Sequence, residues 1–146
     1  MSNIEVRELA FDSPEQKESI NLRYKVLRAP LGLTYNPEDL AKEYLDFHIA
    51  LYFEAALAGI LLLKPTDEQG IIKMRQVAVD TELQGTGLGK QMVAFSERFC
   101  RDKGFNTIEL HARETAVPFY LSMQYQLTGE PFTEVGIPHR KMYKNL

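Results

Sequence analysis

Between Val77 and Lys90 a β-rich run, Val77-Ala78-Val79, passes through a short loop into Gly85, Gly87 and Gly89, and these lead directly into the strongest helical pattern of the chain. From Leu88 to Lys103 the apolar residues Leu88, Met92, Phe95 and Phe99 recur at helical spacing, and Gly104 supplies the stop. A strand, a glycine loop and a helix start in this order form a place for an anion. Glycines let the backbone come close to a ligand, and the N–H groups of a first helical turn lack internal partners and point outward with partial positive charge. The arrangement suits a pyrophosphate.

Two common phosphate loops are excluded by spacing. A Walker A loop needs a glycine four residues before its Gly-Lys-Ser/Thr, but Gln84 stands at that place ahead of Gly89-Lys90, and Gln91 follows. A dinucleotide fingerprint needs G-x-G-x-x-G after the first strand of a βαβ unit. Here the glycines are two apart and follow three runs that read as an antiparallel meander.

Those runs are Phe47 to Phe53, Ala58 to Lys64 and Ile71 to Val79, with Pro65 to Gly70 as a turn. Before them, Asn3 to Leu9 reads as a strand. Ser13-Pro14-Glu15-Gln16 provides an N-cap, a proline at the first helical position and a capping-box partner for a helix to about Arg28. Ala29-Pro30-Leu31-Gly32 ends that helix, and Pro37 opens a second, short one. After the long helix, Thr107 to His111 is a strand, Thr115 caps a helix with Pro118 in its first turn, and Gln126 to Tyr143 holds two more strands. The sum is a mixed α+β fold, and 146 residues without a linker, repeat or low-complexity segment read as one domain, 1–146.

A formal net charge of −3, with lysines and arginines scattered, gives no footprint for nucleic acid. The residues from Met1 to Arg7 have no basic and apolar signal pattern, and the longest apolar stretch, Leu57 to Leu63, is too short to cross a bilayer. A cytoplasmic protein without membrane partners is expected. The single Cys100 cannot form an internal disulfide and has no His or Cys beside it at metal-ligand spacing. Its place near the buried stripe of the long helix reads as a small core residue.

Gln84-x-x-Gly87-x-Gly89 resembles motif A of the GNAT N-acetyltransferase superfamily, Arg/Gln-x-x-Gly-x-Gly/Ala between the fourth strand and the next helix. Phe119-Tyr120-Leu121-Ser122-Met123-Gln124-Tyr125 resembles its motif B, commonly Phe-Tyr-x-x-x-Gly-Phe/Tyr, with Gln124 where the glycine usually stands. Arg113 occupies the place where many members carry an Asn that contacts the coenzyme. These motifs span Arg75 to Tyr125, while the order of elements is similar along essentially the whole chain. The resemblance implies a mostly antiparallel sheet whose fourth and fifth strands splay apart, the fourth carrying a bulge, with helices on its flanks.

It also implies acetyl-coenzyme A as cosubstrate, without a metal or an acyl-enzyme. The coenzyme contacts expected are Val77 and Val79 through their backbones, the loop residues Gln84, Gly85, Thr86, Gly87, Leu88, Gly89 and Lys90, then Arg113 and Tyr120. An acceptor amine attacks the thioester directly, and Tyr120, protonated at neutral pH, donates to the leaving thiolate. His111 is the first choice as general base, with Glu43, His48, Glu114 and His139 behind it. The acceptor is a small amine, an amino sugar, a polyamine or a peptide amine, and family analogy adds a homodimer. A non-catalytic acyl-coenzyme A sensor of the same fold is the alternative, as is a longer acyl chain or a hydroxyl acceptor. The pairing of the loop with Tyr120 favours the enzyme, since a binder needs only the loop.

Overall fold

A computed structural model describes residues 3–146 of the chain. Met1 and Ser2, with which the amino-terminal reading above begins, lie outside them. Seven strands form one sheet: β1 (Ile4–Leu9), β2 (Phe47–Phe53), β3 (Ala56–Pro65), β4 (Ile71–Val79), β5 (Thr107–Arg113), β6 (Gln126–Glu134) and β7 (Ile137–Asn145), in the spatial order β1-β2-β3-β4-β5-β7-β6. All neighbours are antiparallel except β4 and β5. The helices are α1 (Pro14–Arg23), α2 (Pro37–Ala41), α3 (Leu88–Asp102) and α4 (Val117–Ser122).

Strands β2 and β3 are apolar on both sides because both faces of the sheet are covered there. On one face Ile49, Leu51, Leu61, Leu63, Ile72 and Met74 pack with Met92, Val93 and Cys100 of α3. On the other, Ala50, Ile60, Leu62 and Ala78 pack with Leu22 of α1. The tight connection between β2 and β3 uses Glu54 and Ala55, both at positive φ (51° and 65°) without a glycine.

Helix α1 starts as its sequence dictates: Ser13 Oγ accepts from the Gln16 N–H at 3.2 Å, and Pro14 occupies the first turn. The capping-box partner differs from expectation, since the Gln16 side chain accepts from the N–H of Asp12 rather than of Ser13. Beyond Arg23 the helix widens into a π turn over Tyr24–Arg28 and tightens into a 3-10 turn, Ala29–Leu31, that ends at Gly32 with φ 68°. The cap expected at Thr115 is not used. Glu114–Ala116 forms a 3-10 turn, and α4 follows with Ala116 at its N-cap and no side-chain cap bond.

The buried face of α3 is also rotated from the stripe read in the sequence. Leu88 and Met92 are buried as expected, but Phe95 and Phe99 are only half-buried and flank the contact, while Ser96 and Glu97 are buried. Both polar residues are satisfied there. Ser96 Oγ donates to the Met92 carbonyl at 3.0 Å, and Glu97 accepts from the Tyr125 hydroxyl at 2.9 Å and from Lys144 at 3.0 Å.

Two departures from regular pairing open the sheet. Between the pairs Ile60–Ala78 and Leu62–Arg75, β4 uses one more residue than β3, and Gln76 in that bulge has φ 55°. The parallel pairing of β4 with β5 covers only Ile71–Thr107 to Met74–Leu110. From there β4 stays with β3 and β5 stays with β7, so the two strands diverge at Arg75 and His111.

Candidate active site

The divergence encloses a cavity of about 460 Å³. Met74 and Leu110, the last parallel pair, line its base, and Gln76, Val77 and Val79 line one wall with His111, Ala112 and Arg113 on the other. Strand edges that would pair with each other in a continuous sheet face this space without a sheet neighbour, and they offer backbone donors and acceptors to an extended ligand.

At one end stands the glycine loop. Gly85 and Gly87 have φ 81° and 87°, which L side chains adopt only with strain, and Gly87 is the N-cap of α3. Among the described residues no side chain caps this helix, and its first turn holds no acid but does hold Lys90. A cation at a helix N-terminus is the reverse of what the dipole favours unless an anion also sits there. Leu88 is 3% exposed, so its side chain belongs to the core and only its backbone is available. Lys90 is exposed and does not line the cavity. Gln84 lines it, but its Nε2 donates to the Val79 carbonyl at 3.0 Å and so ties the loop to the end of β4. Thr86 Oγ1 donates to the Leu83 carbonyl and braces the loop from within. Arg113 spans the cleft, with Nη2 donating to the Leu27 carbonyl at 3.2 Å.

Tyr120 reaches the cavity from α4 and is 6% exposed. Its ring packs edge-on against Phe119 and Tyr125. Among the described residues its hydroxyl has no hydrogen-bond partner, and burial alone pushes the phenol's pKa above its usual range. The proton therefore stays on the oxygen at neutral pH.

His111, Glu134 and His139 line the same cavity and belong to a cluster of titratable groups. His111 Nδ1 lies 3.0 Å from Glu134 Oε1 and 3.5 Å from Lys73 Nζ, and the His139 Nε2 lies 3.6 Å from Glu134 Oε2. Phe132 packs between the two imidazoles. Burial raises the Glu134 pKa, but the hydrogen bond and charge of His111, with His139 and Lys73 behind, outweigh it and hold the carboxyl below its ordinary value. Lys73 is lowered chiefly by burial.

The other candidate bases are differently placed. Glu43 is engaged in a bidentate pair with Arg23 at 2.8 Å for each contact, and the ring of His48 bonds through Nε2 to the Glu43 carbonyl at 2.8 Å. Glu114 is exposed and does not line the cavity. His139 does line it, with Nδ1 2.8 Å from the Ile137 carbonyl. Glu134, Arg28 and Gln76 line the cavity and were not legible as site residues, because a lone carboxylate, guanidinium or amide carries no spacing signal. Among the described residues no group of three or more His, Cys, Asp or Glu is arranged to hold a metal ion.

A second cavity, of about 790 Å³, adjoins the first, and Arg28, Arg75 and Gln76 line both. Its walls come from the segment Arg28 to Asp46, the turn after β3 and the start of β4.

Residues 31–146 match the family model described as the acetyltransferase (GNAT) domain. The chain belongs to the GNAT acetyltransferase family. Among relatives, it is 32% identical over 74 residues to the Bacillus subtilis protein YyaT, covering 51% of this chain and 50% of that one. It spans 41% to 65% of the length of YyaT and five other curated relatives. A crystal structure of a Lactobacillus plantarum protein assigned as an N-acetyltransferase is 25% identical, with a TM-score of 0.86 over 98% of each chain. Escherichia coli ElaA is 21% identical, with a TM-score of 0.82 over 99% of each chain. An aminoglycoside 6'-N-acetyltransferase complexed with coenzyme A is 15% identical, with a TM-score of 0.80 over 97% of this chain and 96% of that one.

The GNAT fold expected from the two motifs is therefore present, with the bulge in β4 and the splay between β4 and β5 at the positions implied. No helix among the described residues is long and apolar enough to cross a membrane.

Proposed function

We propose that this GNAT domain transfers an acetyl group from acetyl-coenzyme A to a primary amine, by direct attack within a ternary complex. The observation that carries the reading is that Tyr120 and His111 line one cavity between the splayed strands, the former with an unpartnered hydroxyl. A binding module needs the loop and the cleft alone. A proton donor and a proton acceptor lining one cavity serve a reaction.

The residues present fit the coenzyme. The uncapped start of α3, with Gly85 and Gly87 in left-handed conformations and Lys90 in the first turn, offers N–H groups and charge to a pyrophosphate. The open edge of β4 around Val77 and Val79 offers hydrogen bonds to an extended amide chain, and the Val79 carbonyl becomes free when Gln84 turns from it toward the ligand. Acetyl-coenzyme A supplies the thioester carbonyl that the amine attacks.

The chain's own groups then manage two protons. Glu134 accepts from Nδ1–H of His111, which leaves Nε2 as the basic nitrogen that takes the proton of the attacking amine. The pair is a base with an orienting carboxylate. Tyr120, which burial keeps protonated across the neutral range, gives its proton to the departing thiolate.

Thiol release from acetyl-coenzyme A, measured against a panel of amines, tests this reading. The expected result is release that depends on, and saturates with, an amine. A protein whose melting temperature rises with coenzyme, yet which releases no thiol with any amine, would be the sensor instead.

A further inference from the structure

We propose that the acceptor carries a carboxylate as well as its amine, and that the Arg28 guanidinium binds that carboxylate where the two cavities meet. This rests on the acetyl-transfer reading and adds the acceptor's second charge.

Thr81 and Gln84, which lead into the glycine loop, line the first cavity, so the coenzyme is placed on their side of it. The acceptor must arrive from the other end, where Arg28, Arg75 and Gln76 are shared with the second cavity. The charges at this junction divide into those already neutralised and those not. Arg23 is matched by Glu43 in a bidentate pair, and Arg75 is matched by Asp46 at 3.5 Å, with Glu43 at 4.0 Å. Arg28 is half-buried, and among the described residues no carboxylate lies within 4.0 Å of it.

Arg28 is also held in place. Its guanidinium carbon lies 4.6 Å from the centroid of the Tyr35 ring, whose other neighbour is Arg23 at 4.8 Å. The Tyr35 hydroxyl donates to Gln76 at 2.7 Å, which fixes the ring to the bulge of β4. A guanidinium resting on an aromatic ring keeps its N–H donors at its edge, and that planar fork matches a carboxylate. Its attraction to the ring already offsets part of the ordering entropy that binding would otherwise require.

Glu43 and Asp46 on the same wall are engaged by Arg23 and Arg75, so Arg28 is left to the ligand, and its planar fork suits a carboxylate. The carboxylate of a zwitterionic acceptor then meets Arg28, and its amine meets the His111–Glu134 pair, where the Glu134 charge favours it against nearby Lys73. Amino acids, and peptides presenting a free carboxylate near the amine, form the acceptor class.

Free amino acids compared with their carboxamides test the proposal, by thiol-release rates and by calorimetric binding to protein saturated with coenzyme A. The expected result is a preference for the free acids of about ten- to a hundredfold in kcat/KM. Arg28→Gln should erase most of it through KM, and Arg28→Lys should restore a part. Carboxamides that serve as well as free acids, or an Arg28→Gln variant that loses both equally, would overturn it. Calorimetry separates the two readings. Free acids that bind through Arg28 without thiol release keep the anion site and sink acetyl transfer, whereas brisk release from plain amines with no binding of free acids does the reverse.

Discussion

The Tyr35 hydroxyl donates a 2.7 Å hydrogen bond to Gln76 Oε1, joining the loop that walls the second cavity to the β4 residue held at φ 55°. Arg23 Nη2 reaches the same oxygen at 3.4 Å. A non-glycine residue in the left-handed region costs about 1–2 kcal/mol, and the side-chain bonds of Gln76 offset it. The bulge that opens the coenzyme cleft and the loop that borders the acceptor space are thus a single polar unit.

At position 76 the usual preference of strands is therefore inverted. Gln76→Ala loses the acceptor of Tyr35 while keeping the strained backbone, and should lower stability by about 1–2 kcal/mol. Gln76→Gly loses the same bond but adopts positive φ freely, so it should be the more stable of the two variants. Urea denaturation of both decides it, and an alanine variant more stable than the glycine variant would mean that the bulge has closed.

Arg23 and Glu43 form the buried centre of the same network, with side-chain exposures of 0% and 5%. Removing one partner leaves the other charged without compensation. Glu43→Gln should lower stability by about 3–5 kcal/mol, while replacing both residues by Met and Leu should recover much of that loss. The comparison is again by denaturant midpoint. A single variant within 1 kcal/mol of the parent, an order-of-magnitude bound, would show that water reaches the pair.

The fold was legible wherever periodicity and punctuation agreed. The runs Phe47 to Phe53 and Ile71 to Val79 begin and end as read, because turn residues bracket them. The glycine loop and Tyr120 were legible through the motifs that contain them. The buried face of α3 was legible only in part: Leu88 and Met92 are buried and Phe95 and Phe99 pack at the core's edge, but Ser96 and Glu97 find partners in Met92, Tyr125 and Lys144 that no local pattern shows. Glu134 and Arg28 escaped notice for the same reason. Their roles arise from contacts with His111 and Tyr35, and strand pairing and loop packing create those contacts.

Gln124 stands where the family's second motif has glycine, and the turn keeps the glycine conformation, with φ 76°. The Tyr125 N–H still bonds the Tyr120 carbonyl at 3.0 Å, so the tight end of α4 is intact. Gln124→Gly should relieve about 1–2 kcal/mol of strain against about 0.4–1 kcal/mol from the freer unfolded chain. A net rise in melting temperature is expected. An unchanged or lower value would show that the exposed Gln124 side chain makes a contact in solution that offsets its backbone.

Gly87 and Gly89 separate two effects in the coenzyme loop. A Cβ at Gly87 meets nothing within 4 Å but sits on a backbone at φ 87°, whereas a Cβ at Gly89 touches the Phe119 ring at 3.4 Å. Gly87→Val should fail through backbone strain at the N-cap, and Gly89→Val through displacement of Phe119 and obstruction of the first-turn amides. Calorimetry with coenzyme A should show each variant weakened by about tenfold or more, one anion hydrogen bond being worth roughly that much. Full affinity in two folded variants would remove the loop from the coenzyme site.

Tyr120→Phe keeps the ring and its edge-on packing against Phe119 and Tyr125 and removes only the hydroxyl. A tyrosine held for its packing and a satisfied hydroxyl would lose about 1 kcal/mol with its hydrogen bond and retain normal turnover. Here the hydroxyl has no partner among the described residues and faces the cavity, so its loss should leave stability little changed. If the hydroxyl protonates the leaving thiolate, kcat should fall by about ten- to a thousandfold, with coenzyme affinity little changed. The two accounts therefore move melting temperature and turnover in opposite directions. A variant that melts as the parent does but turns over slowly assigns the proton to Tyr120, and one that melts lower but works at full rate assigns the residue to the core.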